Sequence, residues 1–223
     1  MKIALPGLGL LAKYFSIFLL IALLDGCATL FPGNLQTSES VGMRRFEILP
    51  AAHVSGFTGS FYPGADSAIK NAHVFAGGGA TVGYGFDNDK SIYVSGEILY
   101  GLRSIQIEPK FTFWTSSSRM ALSLPIFMIW KNSEPLTGSF MRVYRDLYYD
   151  HNSTLSASLL VMGAFLNPKT DSLQIMGALL DVVYVRKLAD DIEARAGIGF
   201  SPLSLILGAI DARASAGVSV RFK

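Results

Sequence analysis

The chain has 223 residues and a formal net charge of +2, which suits one domain and offers nucleic acid no basic footprint. Charged residues make up 16% of it, against roughly 25% in a typical soluble domain, so part of its surface faces something other than water. A single cysteine excludes an internal disulfide framework and a cysteine-rich metal centre, and no metal or cofactor is expected.

Lys2 and Lys13 precede an apolar run from Tyr14 to Leu24 that only Ser16 interrupts. The run is too short for a spanning helix of roughly 20 residues and reads as a secretory signal helix. Leu24-Asp25-Gly26-Cys27 follows and resembles the lipobox of bacterial lipoproteins. The resemblance implies that residues 1–26 are a lipoprotein-type signal peptide and that Cys27 carries the lipid. A cut after Ala28, which discards Cys27, is the rival. Residues 27–42 are rich in Pro, Gly, Asn, Gln, Ser and Thr without periodicity, and read as a flexible periplasmic tether.

From residue 43 to 223 the chain alternates polar and apolar positions between turn clusters, the mark of strands. Ten strands are predicted, near 44–55, 73–86, 91–101, 103–114, 119–131, 139–149, 154–166, 173–187, 190–200 and 209–222. In the fourth, Ile105, Ile107, Phe111 and Phe113 oppose Ser104, Gln106, Glu108, Lys110 and Thr112. Two strands fit poorly. Arg142, Arg145 and Asp146 cannot all share one face. Asp181 falls on the apolar parity of its strand, so a bulge near Leu179 is expected to turn it inward.

The fold expected is all-β: a closed, antiparallel, up-and-down transmembrane β-barrel of about ten strands, with eight as the alternative, preceded by the signal helix. Alternation alone leaves open which face points inward, and a soluble lipocalin-like lipoprotein is the rival. The wet face is rich in small residues and carries opposite charges close together, as a narrow lumen requires. Glu97, Glu108, Lys110, Glu193, Arg195, Asp211, Arg213 and Arg221 are the expected lumen charge network. Aromatics such as Tyr84, Trp114, Tyr149 and Phe222 gather near strand ends, as an interfacial girdle would. Connections also alternate in length. Short turns (Asp87–Lys90, Thr115–Ser118, Asp150–Ser153, Leu188–Ala189) face longer ones (Gly56–Ala72, Asn132–Gly138, Asn167–Ser172, Ser201–Gly208), with a tight turn at Gly101–Leu102. That asymmetry puts both termini in the periplasm.

The last strand, Ile210 to Phe222, has the longest unbroken alternation. Within it Ser215, Gly217, Val220 and Phe222 resemble the C-terminal insertion signal of outer-membrane β-barrels, although Lys223 follows the aromatic. The resemblance is to small barrels of the OmpA-like and OmpX-like class. It implies a bacterial outer membrane, outer-membrane lipid around the wall, and barrel-assembly machinery as a partner during biogenesis.

Three motifs invite chemistry. Thr81-Val82-Gly83-Tyr84-Gly85 spells a potassium-filter pentapeptide, but no apolar helices flank it, and glycines 77, 78, 79, 83 and 85 are expected to thin the lumen or permit curvature. His151-Asn152-Ser153 resembles the His-x-Ser pair of lipid A deacylases, yet is also an ordinary polar turn opened by Asp150. Asp87-Asn88-Asp89 lacks the glycine and distal glutamate of a calcium loop. No catalytic residue is assigned. The expected role is structural or surface-interacting through the outer loops, chiefly 56–72, with a ligand the sequence does not name. A narrow pore and a lipid A deacylase are the alternatives.

Overall fold

The computed structural model describes residues 34–58, 73–99, 102–131, 134–167, 172–176, 179–202 and 210–223. Its strand segments are β1 (Phe46–Thr58), β2 (His73–Gly85), β3 (Lys90–Leu99), β4 (Leu102–Trp114), β5 (Arg119–Ser123), β6 (Ile126–Lys131), β7 (Glu134–Tyr149), β8 (Ser153–Asn167), β9 (Ser172–Met176), β10 (Leu179–Ala189), β11 (Ile192–Phe200) and β12 (Ile210–Phe222). β5 and β6 lie end to end between β4 and β7, and β9 and β10 lie end to end along β8. Each strand therefore pairs antiparallel with its neighbours in sequence. β1 closes on β12, from Phe46 opposite Phe222 to Thr58 opposite Ile210. The result is a closed ten-stranded up-and-down barrel, which sets the eight-stranded alternative aside.

The break between β5 and β6 falls at Pro125, which has no N–H for the ladder. The neighbouring strands span it by Leu124 N donating to Pro109 O (3.2 Å) and Phe140 N to Pro125 O (2.9 Å).

The barrel is inside-out. On β4 the side chains of Ile105, Ile107, Phe111 and Phe113 are exposed, while Gln106, Glu108, Lys110 and Thr112 are buried. On β12, Val218, Val220 and Phe222 are exposed, and Arg213, Ser215 and Ser219 are buried. A lipocalin-like barrel has the opposite arrangement, so that alternative is contradicted. Around the turn end runs an aromatic band: Phe46 lies 4.8 Å from Tyr84 and 5.9 Å from Phe222, and Trp114 meets Tyr149 edge-on at 6.4 Å. Rings that stand half-exposed at strand ends match the interface of a bilayer.

Several expectations change. β7 begins at Glu134, so the connection expected at 132–138 shortens to 132–133. The one after β8 shortens to 168–171, no longer than the turn 115–118. Only 59–72 and the stretch before β12 are long, so the loop asymmetry behind the periplasmic termini is weaker than the sequence suggests. The poorly fitting β7 carries two register slips against β8, beside Met141 and beside Asp146. It buries Arg142 and Asp146 and leaves Arg145 outside, four residues from the strand end, where a long cationic side chain can reach the interface. Asp181 does face inward, but no bulge near Leu179 delivers it. β10 runs in unbroken register with β8 from Leu179 to Arg186. Its lumen face is Leu179, Asp181, Val183 and Val185, all buried.

The inward valines have a partner that the sequence did not suggest. Residues 34–41 lie inside the barrel, where Leu35 packs with Leu49, Val183 and Val185 in a small apolar cluster. The free-tether reading of 27–42 is thus corrected over 34–42; residues 27–33 lie outside the described residues. From Asn34 the segment descends toward the turn end. It reverses through Gly42 (φ 95°) and Arg44 (φ 55°), and enters β1.

Candidate functional site: a plugged, ion-paired lumen

The lumen holds two ionic clusters, one above the other. Near the turn end Glu47 accepts hydrogen bonds from Arg195 Nη2, from Ser219 Oγ (2.7 Å) and from Arg221 Nε (3.2 Å). Glu193 Oε2 takes the same two arginines at 2.8 and 3.4 Å. Alternation on β1, β11 and β12 aims these groups at one point, because the seam register places Glu47 opposite Arg221.

At mid-height Glu108 is the hub. It accepts from Tyr144 Oη (2.5 Å), Ser123 Oγ (2.6 Å) and Gln106 Nε2 (2.8 Å), with Arg142 Nη1 3.7 Å away. Arg142 also faces Asp181 at 4.0 Å, and Asp181 pairs with Arg213 Nη2 at 2.7 Å. Gly199 leaves room for that last pair, since a Cβ there would meet the Asp181 carboxylate and the Arg213 Nε. Higher still, His53 Nε2 contacts Glu97 Oε1.

The N-terminal segment threads between these clusters and satisfies what the wall leaves open. Asn34 Nδ2 donates to Ser158 Oγ (3.0 Å), and Arg195 Nη1 donates to Leu35 O (3.4 Å). Lys110 Nζ donates to the carbonyls of Thr37 (2.9 Å) and Glu39 (2.6 Å) and lies 4.4 Å from the Tyr93 ring. Thr112 Oγ1 donates to Ser38 O (2.7 Å), Arg119 Nε to Ser38 Oγ (3.2 Å) and Arg221 Nη1 to Glu39 Oε1 (3.2 Å). The glycines of β2 make the space. A Cβ on Gly83 would stand 2.9 Å from Val41 and 2.8 Å from the Tyr93 ring, and one on Gly85 would overlap the Gly42 carbonyl. The filter-like pentapeptide is therefore a docking groove for the chain's own backbone.

Of the lumen residues expected from sequence, Glu97, Glu108, Lys110, Glu193, Arg195, Arg213 and Arg221 sit inside and bond across strands. The Asp211 side chain and Cys27 lie outside the described residues. In the insertion signal, Ser215 is buried and Val220 and Phe222 are on the outer wall. Gly217 is a close approach: a Cβ would come 2.5 Å from Pro50 O. Sequence reasoning missed Glu47, Arg119 and the whole plug. An apolar lumen face on β10 was the available signal.

His151 and Ser153 line a polar cleft of about 260 Å³ at the turn end, beside Asp150, Lys187 and Arg221. Ser153 Oγ donates to Asp150 Oδ2 (3.0 Å), so its proton is directed at a carboxylate. Asp150 also accepts from Tyr148 Oη (2.5 Å) and from the N–H groups of Asn152 and Ser153 (both 2.7 Å). These bonds, the tyrosine's first, hold its carboxyl down at about 2. A depressed acid stabilises the fold above its unfolded value, 3.8, and that contribution is lost as pH falls toward 2. Asp150→Asn is therefore expected to flatten the acid dependence of the unfolding temperature between about pH 4 and 2, as read by gel mobility after heating. Unchanged acid dependence would show that the turn does not feel this carboxylate. Among the described residues no group of three His, Cys, Asp or Glu is placed to hold a metal.

A closed sheet with an oily exterior and a charged, filled interior defines the transmembrane β-barrel class. No protein-family profile matches the chain, and no curated protein sequence does. Among solved structures it is similar to an outer-membrane channel from Pseudomonas putida F1, at 9% identity and a TM-score of 0.51, covering 86% of this chain and 99% of that one. It is also similar to the translocator domain of the autotransporter NalP from Neisseria meningitidis (7% identity, TM-score 0.44, 81% and 89% covered) and to the outer membrane protein OprG from Pseudomonas aeruginosa (9%, 0.35, 84% and 99%). At such identities the first likeness bears on fold alone, and the other two are looser still.

Proposed function

We propose that this is a bacterial outer-membrane barrel, lipid-anchored through Cys27, that is closed to solute flow and has a structural or surface-interaction role through the connections 59–72 and 203–209. The observation that carries the reading is the occupied lumen: Asn34–Ser38, Ser40 and Val41 are buried among the wall's ion pairs. A ten-stranded barrel is slightly wider than the eight-stranded kind that side chains alone can fill, and the N-terminal segment takes up that width. The exposed apolar wall supports the membrane setting. The short turns lie at the end where β1 begins and β12 finishes, which supports a periplasmic placement for that end of the barrel. No catalytic role is proposed for Ser153, whose hydroxyl is directed at Asp150.

Planar-bilayer recording of the full-length chain tests this. A heat-modifiable, folded sample should give no stable conductance steps. Regular steps from such a sample would replace the closed barrel with a narrow pore. Globomycin-sensitive processing and palmitate labelling that disappear in Cys27→Ser would establish the anchor, and labelling unchanged in that variant would remove it.

A further inference from the structure

At the turn end, between the 115–118 turn and the last residues of β7, lies a cleft of about 340 Å³, at the small end of the roughly 300–1,000 Å³ typical of small-molecule sites. Trp114, Arg119, Asp146, Tyr148 and Tyr149 line it together with the turn. Its two charged side chains are buried, Arg119 at 7% and Asp146 at 2% exposure, and bond to each other through Arg119 Nε and Asp146 Oδ2 at 2.7 Å. Each keeps one buried atom without a hydrogen-bond partner: Arg119 Nη2 and Asp146 Oδ1. Glu39 Oε2 stands 3.5 Å from that Nη2, an ion pair and not a hydrogen bond. Buried polar atoms are almost always satisfied, and an orphan donor beside an orphan acceptor calls for a ligand that has both.

We propose that this cleft binds the zwitterionic headgroup of a phospholipid bearing a primary ammonium, that is, a phosphoethanolamine group. The inference rests on the membrane-barrel reading above. The guanidinium and the Asp146 carboxylate in contact present a dipole, and Glu39 behind the guanidinium adds a second carboxylate, so a dipolar headgroup with a free ammonium suits the cleft better than an anion does. The ammonium has N–H groups to give Asp146 and aromatic walls to lie against, with Trp114 and Tyr149 edge-on at 6.4 Å. The phosphate has Arg119, whose guanidinium is already held 4.8 Å above the Tyr149 ring. The acyl chains have a path as well. Phe113, Leu122 and Leu147 stand exposed on the outer wall of the three strands that border the cleft.

The test is native mass spectrometry of the full-length protein in detergent micelles, titrated separately with phosphatidylethanolamine, phosphatidylcholine and phosphatidylglycerol. One phosphatidylethanolamine should be retained about tenfold more tightly than phosphatidylglycerol, which lacks an ammonium. It should also be retained more tightly than phosphatidylcholine, whose quaternary ammonium has no N–H for Asp146. Asp146→Asn and Trp114→Ala should each erase the preference. Trp114 stands on the outer wall at 65% exposure, so its removal leaves the buried bonds in place. Equal or tighter phosphatidylglycerol binding overturns the proposal, as does a preference that survives both variants. Each sample is also run boiled and unboiled on a gel. Loss of heat modifiability in the wild type would sink the barrel reading itself, whereas a heat-modifiable protein without the lipid preference sinks only this inference.

Discussion

Deletion of residues 34–41 is expected to turn a silent barrel into a conducting one. The segment is the only stretch of backbone inside the described barrel, and its carbonyls serve as acceptors for the wall's cations. Without it Lys110 loses the oxygens of Thr37 and Glu39, and Arg119 loses the hydroxyl of Ser38. An ammonium buried in an apolar hole is far costlier than one in water, so water should follow the charges inward and make a continuous path. The outer wall and the strand ladder are untouched by the deletion, so the barrel should still insert and remain heat-modifiable. A second route keeps the chain length. Gly85→Val places a side chain where the Gly42 carbonyl now lies, and should unseat the plug at its lower end. In planar bilayers both variants should show discrete steps at voltages where the parent shows none. If both fold and stay silent, wall side chains alone close the lumen, and the plug is a brace rather than a stopper.

Glu108→Ala should be among the most destabilising single substitutions in the chain, by about 3–5 kcal/mol. Removing one partner of a buried pair strands the rest, and here the stranded groups are many. Tyr144, Ser123 and Gln106 each lose an acceptor, and Arg142 loses one of its two facing carboxylates. Urea unfolding of the protein in vesicles, followed by tryptophan emission, would measure it. Adding Arg142→Met to Glu108→Ala should restore part of the loss, since the double variant no longer buries a cation left with only the Asp181 carboxylate, 4.0 Å away. A single-variant effect below about 1 kcal/mol would mean that this part of the lumen is wet, with water standing in for the carboxylate.

Much of this architecture could be read from the residues, and the reason is geometric. A strand with lipid on one side and charges on the other must alternate, as β4 and β12 do, so their boundaries and facing were visible. β7 was harder because a cation, Arg145, stands on the outer wall while Arg142, Tyr144 and Asp146 alternate inward, and because the extra residue Leu147 shifts the register only at the strand end. The start of β7 was hidden for a different reason: Pro135 and Gly138 look like loop residues, yet Pro135 sits where β7 meets the end of β6. The plug was the real loss. Residues 34–41 are short, polar and aperiodic, as both linkers and interior fillers are, and their structure comes from partners distributed over the wall. Asp181 shows how close the signal came. Its strand looked wrong because Val183 and Val185 share its face. The explanation was Leu35, far away in the chain, and not a defect in the strand.

The pairing of the first strand with the last has a bearing on biogenesis. Arg221 reaches Glu47 across 174 positions of sequence and Glu39 across 182, so the last strand completes the electrostatics of the first strand and of the segment before it. Until the two margins meet, these ions have to stay hydrated, and the amino-terminal peptide has nothing to nestle in. Contacts of such long range form late and slowly. Zipping the seam, drying the interior and seating residues 34–41 therefore depend on one another.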